Sequence, residues 1–361
     1  MKLKKIGILV LLISLLLTNT TFAMDKYIGI KEYEALYNNM NFSDIKNSPY
    51  KKSIYKLASL SIIRKNGSDK FYPSKSISKE EVITMLVRMA GKEEEVQEVI
   101  EKKKLNNNNE LEAYLETAKK IKLITKEEAK NILYVSDEEE YKIEDKIDEE
   151  LKKRPNYTED EIKDLEEKIR SEMKHKYTWG ELANREEVAI WISRIMGLNK
   201  IGGSSRQYVY NLKDYSKIKP ENISLIERVL QLKIIEPIDG YFKPNSHMRR
   251  DEMAVILDKM SKKILELRGY SVKEGVIDSM EKFVVPVENL ITGEITGKNN
   301  YVYTIRDESG EYNKISTEGD NGYIVYNKYN DTIGFPSDLN EYDYIEYWIN
   351  DKKNIVYVEV K

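Results

Sequence analysis

The chain contains no cysteine and only two histidines, His175 and His247. The first absence excludes a disulfide scaffold, thiol chemistry and attachment through a lipid-modified cysteine. The second leaves little for metal or general-base chemistry, and no His-Glu-x-x-His, Gly-x-Ser-x-Gly or phosphate-loop pattern occurs. An excess of charge of one sign is missing as well. Charged residues make up 34% of the chain, yet 59 basic against 62 acidic side chains leave a net charge of −3. A nucleic-acid binder carries a basic excess, so no nucleic-acid partner is expected. After the N-terminal segment, no apolar run is long enough to span a bilayer. The many acids always contain pairs, which keeps carboxylate-pair hydrolysis open as an alternative. However, Asp278, Asp307, Asp320 and Asp343, near expected strand ends, have nothing else beside them that suggests a site. No catalytic residue, cofactor or metal ligand is assigned.

The first 23 residues have the layout of an export signal. Lys2, Lys4 and Lys5 form a positive start, Ile6 to Leu17 an apolar stretch, and Thr21-Phe22-Ala23 offers small residues at a cleavage site. A dozen apolar residues is short of the roughly 20 needed to span a bilayer. The expectation is an exported protein whose mature chain starts near Met24 and is not inserted in a membrane. A lead-in then covers residues 24–41.

The main feature of the remainder is repetition. FYPSKSISKEEVITMLVRM at 71–89 returns as FKPNSHMRRDEMAVILDKM at 242–260, and in part as LANREEVAIWISRIM at 182–196. The first copy, 42–105, begins with Phe42-Ser43-Asp44. It runs through a helical pattern of Ile54, Leu57, Ala58 and Leu60 to Ile62-Ile63, a turn at Asn66-Gly67-Ser68-Asp69, and Phe71-Tyr72-Pro73. The third, 201–268, follows the same order with Leu212-Lys213-Asp214, Ile234-Ile235, Asp239-Gly240 and Phe242-Lys243-Pro244. In both, ten residues separate the turn phenylalanine from the last glutamate of the helix start, Glu81 or Glu252. The middle copy, 106–200, keeps the helical pattern through Leu115, Ala118, Leu123 and Ile124, and the helix start Asn184-Arg185-Glu186-Glu187. Its Phe-x-Pro turn is replaced by a charged insertion at about 125–178. There Ile162, Leu165, Ile169 and Met173 predict an amphipathic helix. The acids from Asp137 to Asp148 are interspersed with lysines and lack the Asp-x-Asp-x-Asp-Gly pattern of a calcium loop.

These copies resemble S-layer homology (SLH) domains in their Phe-x-Asp opening, Ile-Ile pair, Asp-Gly turn, Phe-x-Pro and Thr-Arg-Ala-Glu-like helix start. The resemblance spans about residues 42–262 and is specific in the first and third copies. It implies a pseudo-threefold domain with the long helices at its centre. Grooves between neighbouring copies would bind secondary cell-wall polysaccharide, often carrying a pyruvate ketal, on a Gram-positive-type bacterium. The protein would then be extracellular, in the cell wall or S-layer. Arg250, Arg185 and Lys79, just inside the helix starts, are the candidate contacts, with Asp44, Asp214, Glu81, Glu187 and Glu252 around them. The residues themselves allow a second reading. Ser78 or Asn184 can cap its helix, with Glu81 or Glu187 closing a capping box, and Arg249 is a poor cap. A cation at the first helical position is disfavoured by the helix dipole unless an anion lies close, so exposed amides and a guanidinium together would suit a carboxylate. A residue there is expected to bury little. Arg88, Arg194 and Lys259 fall seven residues after Glu81, Glu187 and Glu252, on the same helix face, and read as solvated ion-pair partners.

From Gly275 the pattern changes to alternation: YVYTIRD, YIVYNK, DYIEYWIND, NIVYVEVK. Residues 275–361 are expected to form a small independent antiparallel β-barrel or sandwich with Val302, Ile305, Ile324, Ile345, Trp348 and Val356 in its core. The fold class is therefore α+β. The function implied is a wall-anchored surface protein displaying a β-domain whose protein partner, if it has one, is unknown. The alternatives are an extracellular interaction protein with decayed repeats and a wall-active hydrolase.

Overall fold

The computed structural model describes residues 37–361 except 39, 66–68, 106–109, 133–136, 155, 178–180, 199–205, 289–291, 317–322 and 352–354. The export segment, the lead-in to residue 36, the turns at 66–68 and 320–322 and the Gly-Gly-Ser-Ser stretch at 202–205 lie outside the described residues, as do the side chains of Met173 and His175. The chain divides into two compact units, one comprising residues up to 72 with 261–361, the other residues 73–260.

In the first unit, helix α1 (Lys51–Ser59) packs against a seven-stranded sheet. The strands are β1 (Ser271–Glu288), β2 (Ile295–Asp307), β3 (Tyr312–Ser316), β4 (Ile324–Asn327), β5 (Thr332–Gly334), β6 (Tyr344–Ile349) and β7 (Ile355–Val360). Their order is β3-β2-β1-β6-β7-β4-β5, antiparallel throughout except for the parallel β4–β7 pair. One face carries Ile277, Tyr303, Ile305, Val325, Ile345, Tyr347 and Val358 in a single apolar cluster. β7 is buried along its whole length, which suits an interior strand reading IVYVEV. Its Glu359, 2% exposed, pairs with Lys52 of α1 at 2.5 Å, Lys51 pairs with Asp331 at 2.6 Å, and Lys56 lies 5.1 Å above the Trp348 ring.

The sheet is open and mixed, which corrects the expectation of a barrel or sandwich. Alternation and apolar content along a strand point to buried side chains but say nothing about closure. Much of the length goes into the β1–β2 hairpin, and the edge strands β3 and β5 stand at opposite ends of the order. Of the expected core residues, Ile305, Ile324, Ile345, Trp348 and Val356 are buried, whereas Val302 is only half-buried.

The second unit holds α2 (Lys79–Met89), α3 (Glu93–Lys103), α4 (Glu110–Lys120), α5 (Lys126–Ile132), α6 (Asp137–Lys153), α7 (Glu159–Tyr177), α8 (Arg185–Ile195), the single turn α9 (Gln207–Tyr210), α10 (Ile223–Gln231) and the start of α11 (Arg250–Leu267). The charged insertion folds as α5 and an α6–α7 hairpin. Ile143, Ile147 and Ile169 form its small core, with Leu165 packed against it.

The repetition seen in the sequence is matched by local geometry. Helices α1, α4 and α10 each end in a left-handed residue, Ser61 (φ 56°), Lys122 (φ 62°) and Lys233 (φ 54°). After each, an amide reaches back five residues to close the helix: Ile62 to Leu57 at 2.9 Å, Leu123 to Ala118 at 2.9 Å, Ile234 to Val229 at 3.0 Å. The apolar pair then turns inward, with Ile62-Ile63, Leu123-Ile124 and Ile234-Ile235 all buried. The middle segment therefore shares this helix ending and its buried apolar pair.

Candidate functional site

The three copies meet in the second unit where each chain enters its long helix. Ile77, Ala183 and Met248, all fully buried, form a closed ring of backbone hydrogen bonds. Ile77 donates to Met248 (2.8 Å), Met248 to Ala183 (3.0 Å), and Ala183 to Ile77 (3.0 Å). A second turn of bonds repeats the cycle: Lys79 N–H to the Glu181 carbonyl (2.8 Å), Arg185 to Ser246 (3.0 Å), Arg250 to Lys75 (3.0 Å). Each helix thus has its first amide satisfied by a neighbouring copy.

In the second and third copies the next amide is spent too. Glu186 donates to the Pro244 carbonyl at 3.1 Å and Asp251 to that of Pro73 at 3.0 Å. Ser78 accepts the Glu81 amide at 3.3 Å and Asn184 the Glu187 amide at 2.9 Å, while Glu81 and Glu187 accept the cap amides in return. Both expected capping boxes are present. At Arg249 the arrangement differs, as its poor capping chemistry suggests. Glu252 accepts the Arg249 amide at 2.9 Å, and the Glu252 amide turns to Asp251 at 2.8 Å, itself held by the Arg249 guanidinium at 2.9 Å. The expectation of exposed helix-start amides is therefore corrected.

Two of the three cations at these starts find anions within the protein, and the third is held by backbone carbonyls. Lys79 contacts Glu187 at 3.0 Å and Glu181 at 2.8 Å, and Arg250 is bonded to Glu81. Burial works to lower the Lys79 ammonium, yet its bonds to Glu181 and Glu187 outweigh that and hold it above its ordinary value. Arg185 is 5% exposed and donates to the carbonyls of Phe242 (2.8 Å) and Glu236 (3.0 Å), with its guanidinium 5.6 Å from the Phe242 ring. Burial pushes it below its ordinary value, opposed by Glu252 and Asp214. The notion that a residue inside the cap buries little fails here, because the neighbouring copy closes over the helix start.

Asp44 and Asp214 do the same work in the two complete copies. Asp44 accepts the Phe71 amide at 2.8 Å and the Tyr72 amide at 2.7 Å; Asp214 accepts those of Phe242 and Lys243, both at 2.8 Å. Each clamp holds the residue after the phenylalanine in the left-handed region, Tyr72 and Lys243 both at φ 58°. Arg88 and Arg194 are less solvated than expected. Arg88 bonds Glu93 (3.0 Å) and Tyr114 (3.1 Å), and Arg194 bonds Glu128 (2.5 Å) and the Leu123 carbonyl (3.3 Å). Lys259 is the more exposed member, paired with Glu236 at 2.6 Å.

Sequence reasoning missed two other parts. Glu186, 4% exposed, accepts from the Lys219 amide (3.1 Å) and the Asn222 side chain (2.8 Å), tying α8 to the loop before α10. A cleft of about 460 Å3 also opens in the third copy beside Asp214, where Lys217 and Lys243 line the wall. Their positions, three residues after the aspartate and directly after the phenylalanine, were the available signal.

Two stretches of the chain, 41–83 and 211–254, match the family model of the S-layer homology domain. No curated protein and no solved structure matches the chain. Domains of that family generally mediate cell-wall anchoring, which is a binding role rather than a catalytic one, and they imply association with the cell surface or wall. Among the described residues no helix is long and apolar enough to cross a membrane, and no group of three or more His, Asp or Glu could hold a metal ion.

Proposed function

We propose that this is a secreted surface protein held non-covalently on the cell wall by three SLH repeats that bind secondary cell-wall polysaccharide. The middle segment counts as a third, degenerate repeat. The observation that carries the reading is the closed hydrogen-bond ring of Ile77, Ala183 and Met248. In it Ala183 of the middle segment bonds to Ile77 and Met248 of the two stretches matched by the family, which supports counting that segment as a repeat. Lys79, Arg185 and Arg250 serve this domain chiefly by locking one copy to the next. A binding role for the two glutamates of the capping boxes would compete with bonds already made.

The test is sedimentation of the mature protein with purified Gram-positive walls, before and after extraction of the secondary polysaccharide. Binding to intact walls that is lost on extraction supports the reading. Equal binding to stripped peptidoglycan would shift the target to the peptidoglycan itself, and turnover of labelled peptidoglycan would replace anchoring with hydrolysis.

A further inference from the structure

We propose that the cleft in the third copy is a seat for an anionic saccharide unit, placed within one copy rather than in a groove between copies. The proposal rests on the wall-anchoring reading. The cleft's volume of about 460 Å3 falls within the span of roughly 300–1,000 Å3 usual for small-ligand pockets.

Its charges are disposed differently from those of the helix starts. Lys79 and Arg250 are paired with carboxylates, and Arg185 is spent on backbone carbonyls. Lys217 and Lys243 are exposed on the cleft wall and take part in no ion pair among the described residues. Two carboxylates, Asp214 and Asp239, also line the cleft, but neither lysine is paired with them, and an ammonium group so placed at a concave surface attracts an external carboxylate or phosphate. Asp214 already accepts two amides through both oxygens, so it is a fixed floor that sets the Lys243 backbone. Lys213 is likewise committed, donating to the Asp239 carbonyl at 3.0 Å and lying 5.1 Å over the Tyr241 ring. Tyr241, Asn245 and the Asp239 carboxylate supply what a sugar ring needs, an aromatic surface and partners for hydroxyls.

The first copy lacks this set. Asn47 stands at the place of Lys217, Tyr72 at that of Lys243, and Lys70 at that of Tyr241. The lysine pair is therefore a property of the third copy and not of the repeat.

Chemical-shift mapping on the isotope-labelled mature chain tests this directly, with glucuronic acid, glucose 6-phosphate and glucose as probes. Both charged sugars are expected to shift resonances of residues 213–217 and 239–246, and glucose to bind about tenfold more weakly. A response to one charged sugar alone identifies the anion as carboxylate or phosphate. The Lys217→Gln/Lys243→Gln variant is expected to lose about tenfold in affinity for the charged sugar and for walls, with an unchanged unfolding midpoint. Should the variant bind walls as the parent does, or the charged sugars leave the cleft unshifted, the seat is refuted while wall anchoring stands. If the parent fails to bind walls yet the charged sugars shift the cleft, anchoring falls and the seat stands.

Discussion

Helices α1 and α10 occupy the same place in two copies of one repeat, yet they are finished in different ways. α10 lies against α8 and α9, and its buried Glu227 accepts the amides of Tyr208 (3.1 Å) and Val209 (2.8 Å). α1 lies against β4 and β7 of the sheet. The residue matching Glu227 is Tyr55, and Leu60, 2% exposed, corresponds to Leu232, which is 50% exposed. Where α10 offers Arg228 to partial solvent, α1 offers Lys56 to the face of Trp348. What the two share is the inward stripe of Ile54, Leu57 and Ala58 or Ile226, Val229 and Leu230, together with the left-handed ending. The repeat thus fixes one face of the helix and leaves the other to whatever the chain places against it.

The largest effect that would sharpen this contrast is expected from the sheet side. Trp348→Ala removes a buried aromatic and the partner of Lys56, and should cost about 3–5 kcal/mol in chemical unfolding. Hydrogen exchange should rise in α1 and β7 while α10 keeps its protection; equal loosening of α10 would mean that the two copies are not finished independently. On the other side, Asp214→Ala leaves two amides without their acceptor, one of them buried, and should cost roughly 2–4 kcal/mol. Asp214→Asn, which keeps one carbonyl oxygen, should recover part of that loss.

Smaller effects separate the helix starts. Arg185→Ala empties a buried site and strands two carbonyls, for about 2–3 kcal/mol, whereas Lys79→Ala removes a half-buried ammonium and should cost about 1 kcal/mol. A reversed order would show that the Phe242 and Glu236 carbonyls are readily rehydrated. The smallest effect is a matter of pH. Burial raises the Glu80 carboxyl from its ordinary 4.5 to about 7, with Lys75 working against it. Between those values the folded chain holds a proton that the unfolded chain has released, so stability falls as pH rises through that window. Glu80→Gln should therefore be neutral near pH 4 and stabilising by roughly 1 kcal/mol at pH 8 after allowance for solvent screening. A gain at pH 4 equal to that at pH 8 would contradict the raised carboxyl.

Most of the repeat was legible because its signals are local. A capping box needs only residues three apart, and Ser78 with Glu81 and Asn184 with Glu187 met that requirement. The apolar pairs after each first helix were equally readable. What was not legible depends on which segment faces which. Nothing in the spacing of Arg185 reveals that the Phe242 carbonyl will lie 2.8 Å from its Nε, so its burial was missed. The sheet failed in the same way: the apolar and aromatic character of YIEYWI marked Ile345 and Trp348 as buried, but the pairing of β4 with β7 in parallel is a fact of topology. Asp44 and Asp214 were read as helix or turn residues or ligands. Their true partners, the amides of a turn more than twenty residues on, lie beyond any local pattern.

Anchoring to wall polysaccharide is tested most directly by equilibrium binding of the labelled mature protein to the secondary polysaccharide released from purified walls. Saturable binding is predicted, abolished by excess unlabelled polymer and weakened at least about tenfold by Lys217→Gln/Lys243→Gln. No binding to the released polymer, with sedimentation on polymer-free peptidoglycan unchanged, would contradict it.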